Sequence, residues 1–427
     1  MSEAINKKKS SFGKMDLTQG DPLKVVLLFS LPLFLGNLFQ QFYNLTDTAI
    51  IGHALGDGAL ASVGAVSILF NIFMSLMFGL TSGFSVIISN CFGANDIKRL
   101  KNSVANSIYL GFGFSFLVAL LGIIFLNPLM RFLEVPDNLY GDAYRYIVIV
   151  IASLPIAMCY NIFASFLRAI GEALAPLIFL VISAILNTIL DLLFVFVFNF
   201  GITGAAVATV IAQVLSAIAC YIYIRIKVPL LHLKRDDLKV DIKLIGDLFS
   251  SGISFALMFT IVHIGSFFLQ QAINGLGDEV IAAHTTARKI DSFYMMPTTT
   301  ISSAMATFSG QNHGAKKHSR IIEGLKKSTL ASFAINTVLI ASVMFFGKQI
   351  SFAISGSTNE TVINLCTKYL QWNLPFFYVL PILCIARTTL QGVGSKIAPL
   401  ICSLMEMIIK IAFAKMIVDI SKNIGYT

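Results

Sequence analysis

The sequence predicts an all-α membrane protein, a polytopic helical bundle assembled from two similar halves. Composition is the first observation behind this: of 427 residues, 56% are hydrophobic and only 12% charged, with mean hydropathy +0.81. Soluble domains carry about 25% charged residues. The second is the grouping of apolar residues into eleven long runs, each near or above the roughly 20 residues that cross a bilayer at 1.5 Å per residue. The third is self-similarity at an offset of about 220 residues.

The runs lie near 25–51, 60–90, 104–126, 143–168, 174–198, 204–226, 248–274, 280–310, 326–347, 361–390 and 397–419. The first holds Pro32, Asn37, Gln40, Gln41, Asn44 and Asp47. Pro32 removes one backbone bond and predicts a bend there. A carboxylate in such a segment costs about 2.5–3.5 kcal/mol at the bilayer centre, so Asp47 is expected to face a bundle interior or a watery cavity. The second run carries Gly79 and Gly83, and the sixth Gly204 and Ala208, spacings that allow helices to approach closely. Pro155, Pro297, Pro375 and Pro381 predict further bends, whereas Pro176 and Pro399 stand at helix starts, where proline is tolerated.

The fifth run holds Asn187 and Asp191, four apart and therefore on one helical face, and the sixth carries Thr209. From the helical rise, Asp47 lies about 6 Å, Asp191 about 10 Å and Thr209 about 8 Å below the outer ends of their runs. Three independent segments thus place polar groups at one depth, which groups them as a single site. Two neighbouring carboxylates in low dielectric cannot both stay ionised without a cation between them. Such a site takes up a proton, or a hard cation such as Na⁺ held by carboxylate, amide and hydroxyl oxygens. The plainer alternative is that Asn187 and Asp191 join helices by hydrogen bonds.

In the later runs, Arg288 and Asp291 are three apart and Glu406 and Lys410 four apart, so each couple is expected to pair along its helix. His263, Gln270 and Gln271 are the polar residues of the seventh run. Tyr43, Met74, Met158, Phe163 and Met295 offer soft, adaptable side chains for a substrate cavity, together with Gln41, Asn44 and Arg288.

The charge of +9 comes from bases in short loops, which fits the positive-inside rule and not nucleic-acid binding. Lys98, Arg99 and Lys101, the basic stretch from Arg225 to Lys243, and Lys316, Lys317 and Arg320 follow even-numbered runs. These loops and the basic start (Lys7, Lys8, Lys9, Lys14) are expected in the cytoplasm, with an uncleaved anchor following. The six cysteines form no CxxC pair, so neither disulfide nor metal is expected. No nucleophile and base share a motif, and phosphate loops are absent, so an enzyme is not expected.

The repeat matches Leu28-Phe29-Ser30 with Leu248-Phe249-Ser250, Gly56-Asp57 with Gly277-Asp278, and Gly93-Ala94 with Gly314-Ala315. Halves that start on the same side imply parallel repeats. The expected organisation is a cytoplasmic tail at 1–24, an amino-terminal lobe at 25–226, a cytoplasmic linker at 227–246 and a carboxy-terminal lobe at 247–427. Two six-span lobes require twelve spans. Lys422 to Thr427 reads as a loop into a twelfth that does not follow.

The chain resembles the multidrug and toxic compound extrusion (MATE) transporters from about residue 15 onward. The resemblance rests on Pro32, Gln41, Tyr43, Asn44 and Asp47-Thr48 with Gly52, and on Phe92-Gly93-Ala94. Further support comes from Arg168-Ala169-Ile170-Gly171 with Pro176, from Asn187 with Asp191, and from the turn Gly201 to Ala206 leading to Thr209. It implies two lobes around a central cavity and exchange of Na⁺ or H⁺ for organic, often cationic, compounds. Asp47, Asn187, Asp191 and Thr209 match the cation site of the subgroup that couples through its amino-terminal lobe. The acids of another subgroup's seventh and tenth spans are missing here.

The expected function is cation-coupled export of amphiphilic, cationic drugs or toxins by a monomer in the cell membrane. The coupling ion is Na⁺ or H⁺, and no cofactor is called for. Alternatives are a flippase for lipid-linked sugars, for which Arg288 and Arg145 are the weak pyrophosphate-binding candidates, and a degenerate protein that transports nothing.

Overall fold

A computed structural model describes residues 15–273, 277–356 and 359–423, excluding the side chains of 263, 264, 266–272, 278 and 414–423. The polar side chains expected from the seventh run (His263, Gln270, Gln271) and the end of the chain (424–427) lie outside the described residues.

Helix α1 runs from Pro22 to Gly93, 72 residues, which at 1.5 Å per residue is far longer than one crossing. It comprises the first two expected spans, joined at Gly56, whose φ of 81° and ψ of 179° break the helical path. A side chain at that φ would be strained, so glycine is suited to the junction. Asp21 caps the start, its carboxylate accepting from the Lys24 N–H at 3.0 Å, and Pro22 fills the first helical position.

Helices α2 (Ile97–Ile124) and α3 (Leu126–Phe132) follow, then α4 (Asp137–Ala152) and α5 (Leu154–Ala169). The last two form one bent span, 46° apart, with the break just ahead of Pro155. Helix α6 (Leu174–Asp191) passes into a π-helical turn at Leu192–Val197 before α7 (Gly201–Lys227). The second half comprises α8 (Ile242–Ile273), α9 (Asp278–Gly314), α10 (His318–Ser355), α11 (Glu360–Asn373), α12 (Val379–Gly392) and α13 (Ile397–Asn423).

Among the described residues, seven helices are long and apolar enough to cross a membrane, or eight counting the bent pair. Helix α1 counts once although it covers two expected spans. Helix α9 is not among them, because its segment from Thr298 to Ser309 is rich in hydroxyls.

Prolines behave differently by position. Pro155 and Pro375 mark breaks, the latter in a 3₁₀ turn at Leu374–Tyr378, and Pro381 falls in the first turn of α12. Pro32 and Pro297 lie inside continuous helices. The only non-helical residue within α1 is Gly56, so the bend expected at Pro32 is not a backbone break in this conformation.

One apolar core extends from Ile51 in α1 to Leu248 in α8, and another gathers Ala283 to Phe377 from α9, α10, α11 and the 3₁₀ turn that follows α11. The halves meet along α1, α8 and α9. Glycines set that seam. A Cβ on Gly79 would sit 2.3 Å from Ala256 Cα, and one on Gly83 would sit 2.3 Å from the Gly252 nitrogen. The seam is thus backbone against backbone, the close approach their spacing predicted.

Hydrogen bonds between the halves gather at the end where α1 begins. There residues 15–21 form a strap across α9 and α10. The Met15 N–H ties the strap to its own half through the Gly171 carbonyl (2.9 Å), and the Leu17 N–H crosses to Gln311 Oε1 (3.2 Å). Gln311 Nε2 donates in turn to the Ala169 carbonyl (2.8 Å), and Asn312 Nδ2 to the Leu17 carbonyl (3.1 Å). Lys317 and Arg320 donate to the carbonyls of Thr18 (2.8 Å) and Gln19 (2.7 Å). Lys327 pairs with Asp21 at 2.7 Å, and its ammonium holds that exposed carboxyl below the usual carboxylate range.

Candidate functional site

Within the first half, α1, α4, α5, α6 and α7 enclose a cavity of about 470 Å³. Asp47 lines it, four residues on from Tyr43 and so on the same face of α1. Asn187 and Asp191 project from α6 at the same spacing, 1% and 0% exposed. Thr209 lies one turn below Ala205 on α7, its hydroxyl bonded back to the Ala205 carbonyl at 3.2 Å.

The carboxyl groups of Asp47 and Asp191 lie close enough to interact with each other. With its amide turned to satisfy both neighbours, Asn187 donates from Nδ2 to Asp191 Oδ2 at 2.7 Å. Its Oδ1 accepts from the Thr209 N–H at 3.0 Å. The Tyr43 hydroxyl lies 3.3 Å from Thr209 Oγ1. One oxygen of each aspartate, Oδ1, is buried without a partner. A buried unpaired carboxylate oxygen is costly, and a proton or cation between the two groups removes the cost. The structure therefore brings Asp47, Asn187, Asp191 and Thr209 into one cluster, of which Asp47, Asn187 and Thr209 line the cavity and Asp191 is fully buried beside them. Beyond Asp191 the helix loosens into the π turn, and Phe194 of that turn clusters with Phe198 and Phe200 just after it, the rings tilted and their centroids 5.6 to 6.1 Å apart. Such turns often accompany functional sites.

The expected substrate-cavity residues divide. Tyr43, Asn44 and Met74 line this cavity. Gln41 is not among the lining residues, although its neighbour Gln40 is. Met158 is fully buried in the first core, and Phe163 packs against that core with its ring 5.8 Å from Tyr221. Met295 packs on the core of the second half, and Arg288 is exposed on α9. The physical reason on α5 is helical phase. Ala157, Tyr160 and Asn161 form the i, i+3, i+4 face on the cavity, and Met158 is turned about 100° away from Ala157.

Sequence reasoning missed Tyr146, Gln213 and Ser216, all on the wall. Gln213 and Ser216 follow Thr209 by four and seven residues, so extending the α7 face would have found them. The Oε1 of Gln213 is buried and unpartnered.

In the second half, Glu406 and Lys410 pair at 2.7 Å as expected. The pair includes a third member that the search for acids passed over. Buried Arg387 of α12 donates from Nη1 to Glu406 at 3.2 Å and to Ser403 at 3.0 Å. Asp291 accepts from Asn373 at 2.9 Å. Arg145 pairs with Asp142 at 3.8 Å on an exposed surface. Replacing Arg387 with Gln is expected to lower stability by about 1–3 kcal/mol, since Ser403 and Glu406 lose a buried donor. Arg387→Met combined with Glu406→Met should cost no more than the single change. Thermal unfolding in detergent measures both.

The MatE family model matches the chain twice, over residues 32–193 and 254–416. Both halves are thus similar to one and the same unit. A relative in Bacillus subtilis (strain 168), "Probable multidrug resistance protein YpnP", is 27% identical over 364 residues, covering 85% of this chain and 80% of the relative. "Multidrug export protein MepA" of Staphylococcus aureus (strain NCTC 8325 / PS 47) is 23% identical over 346 residues, covering 81% and 76%. Among solved structures, the "Outward-facing conformation of a multidrug resistance MATE family transporter" superposes with TM-score 0.86 at 22% identity, over 98% of this chain and 97% of that one. With the family model matching most of the chain on both sides of its midpoint, this protein belongs to the MatE family of multidrug efflux transporters.

Proposed function

We propose that this protein is an antiporter, driven by H⁺ or Na⁺, that exports amphiphilic cationic compounds. The observation that carries the reading is the close approach of Asp47, on the cavity wall, and Asp191, buried beside it, each with an unpartnered oxygen. Asp47 rides on α1 and Asp191 on α6, so an ion between them ties the two helices together. Its loss leaves two like charges in low dielectric, which drive the helices apart. Cavity volume and charge then change together. The cation-loaded form disfavours a cationic substrate, and the emptied form attracts one.

The orientation of Asn187 bears on the ion. Its amide stands between Asp191 and Thr209 and can present either end to the carboxylate. With the NH₂ on Asp191 it suits a proton shared by the carboxyls. With the oxygen on that side it joins Asp47, Asp191 and the Thr209 hydroxyl as a ligand set for Na⁺.

In this reading residues 25–226 and 247–427 act as lobes that rock about the cavity, linked by 227–246, with the tail 1–24 in the cytoplasm. Pro32 leaves α1 without one internal hydrogen bond, making that segment the cheapest place to flex. Solved MATE structures are described in a "bent" and a "straight" conformation. The working unit is a monomer in the cell membrane, with the amino terminus inside.

The test is ethidium efflux from proteoliposomes under an imposed pH gradient and, separately, a Na⁺ gradient. Efflux driven by one and not the other identifies the ion. A shared proton predicts that the pH gradient is sufficient. No efflux under either gradient would overturn the antiport reading.

A further inference from the structure

We infer that the face between α10 and α11, at the end of the bundle opposite the strap, is a binding site for the headgroup of an anionic phospholipid. A pocket of about 430 Å³ opens there, and its wall includes Lys348, Gln349, Asn364, Lys368 and Gln371. Among the described residues, neither lysine has an ion-pair partner, and the three amides make no protein hydrogen bond. Two ammonium groups and three amides converging on one pocket leave a set of donors for phosphate oxygens.

The backbone explains why the pocket exists. Helix α10 departs from helical geometry at Phe346, where φ is −121° and ψ is 17°. Immediately beyond, Gly347 is buried against α11, and a Cβ there would sit 2.9 Å from Thr367 Cγ2. The Ser351 and Thr367 hydroxyls, 3.1 Å apart, hold the helices together one turn further on. The helices are pinned at this level, and the lysines flank the pinned point.

Depth and surroundings select a lipid. On α10, exposed Phe345 (78%) lies one turn nearer the bundle centre than Lys348. On α11, which runs the opposite way, exposed Trp372 (80%) lies one turn nearer the centre than Lys368. Both helices therefore present an aromatic side chain inward and a base outward. Lys348 is about 17 Å from the midpoint of α10, just outside the roughly 15 Å half-thickness of the hydrocarbon. Bases at headgroup level above an aromatic belt suit a lipid with a net negative headgroup. Its chains would lie along Phe345 and Trp372.

Trp372 is the single tryptophan of the chain and so reports on this site alone. Full-length protein is titrated in mixed micelles with phosphatidylglycerol carrying brominated chains, and separately with brominated phosphatidylcholine of the same chain length. Half-maximal quenching of Trp372 is expected at a mole fraction at least threefold lower for phosphatidylglycerol. The preference should vanish in the Lys348→Gln/Lys368→Gln double variant and persist with Arg at both positions. Native mass spectrometry is expected to show phosphatidylglycerol retained by the unaltered chain. Equal quenching by the two lipids, or a preference untouched by the double variant, would overturn the inference. Retention of inorganic phosphate without lipid preference would overturn the lipid assignment.

Discussion

Asp47→Asn and Asp191→Asn are each expected to reduce ion-driven ethidium efflux at least tenfold, to near background, with normal amounts of protein in the membrane. Asparagine matches aspartate in size, so packing around α1 and α6 should survive. What disappears is a group able to hold and release a proton or to ligate Na⁺. The two carboxyls lie close together, and each has one oxygen that no protein group satisfies. A single amide in the pair removes the like-charge repulsion that separates the helices in the emptied form. Either variant should then remain as though permanently loaded and bind ethidium more weakly. Unchanged efflux in both variants would refute coupling through this pair. Efflux lost in one alone would confine the coupling to that residue.

Gly83→Leu is expected to destabilise the closed seam by about 1–3 kcal/mol or more, the range for overpacking a tight contact. A Cβ at this position meets the Gly252 nitrogen at 2.3 Å and its Cα at 2.4 Å. Both are backbone atoms of a long helix and cannot swing aside. The matched control is Gly113→Ala on α2, where an added Cβ has no neighbour within 4 Å. That change should be neutral or stabilising by up to about 1 kcal/mol, because alanine is the better helix former. Thermal unfolding of the two variants in one detergent provides the comparison. Equal stabilities would mean that the seam is not tightly packed.

Much of this arrangement was legible in the sequence. Asp47, Asn187, Asp191 and Thr209 could be grouped because helical rise converts sequence position into depth, and four-residue spacing into a shared face. Gly79 and Gly83 were readable as a close-approach pair for the same geometric reason. The cavity wall was less accessible. Membrane helices are apolar on every side, so no hydrophobic face fixes their rotation, and Met158 could not be told from Tyr160. Arg387 escaped because a search for acids overlooks the base that partners one. Nothing in Leu192–Val197 breaks a helix, so the π turn arises from packing around Phe194 and Gly204, whose added Cβ would lie 3.1 Å from Phe194 Cβ.

The glycine seam also governs the thermodynamics of any motion between the halves. Beside the backbone contacts, side chains also pack between α1 and α8: Phe78 lies against Phe259, and Val86 is buried with Phe255 and Met258. Parting at Gly79, Gly83 and Gly252 into a watery cavity would expose that hydrocarbon and carry a positive heat-capacity change. The balance between the two arrangements would then shift with growth temperature, and the bound ion would act on top of that shift.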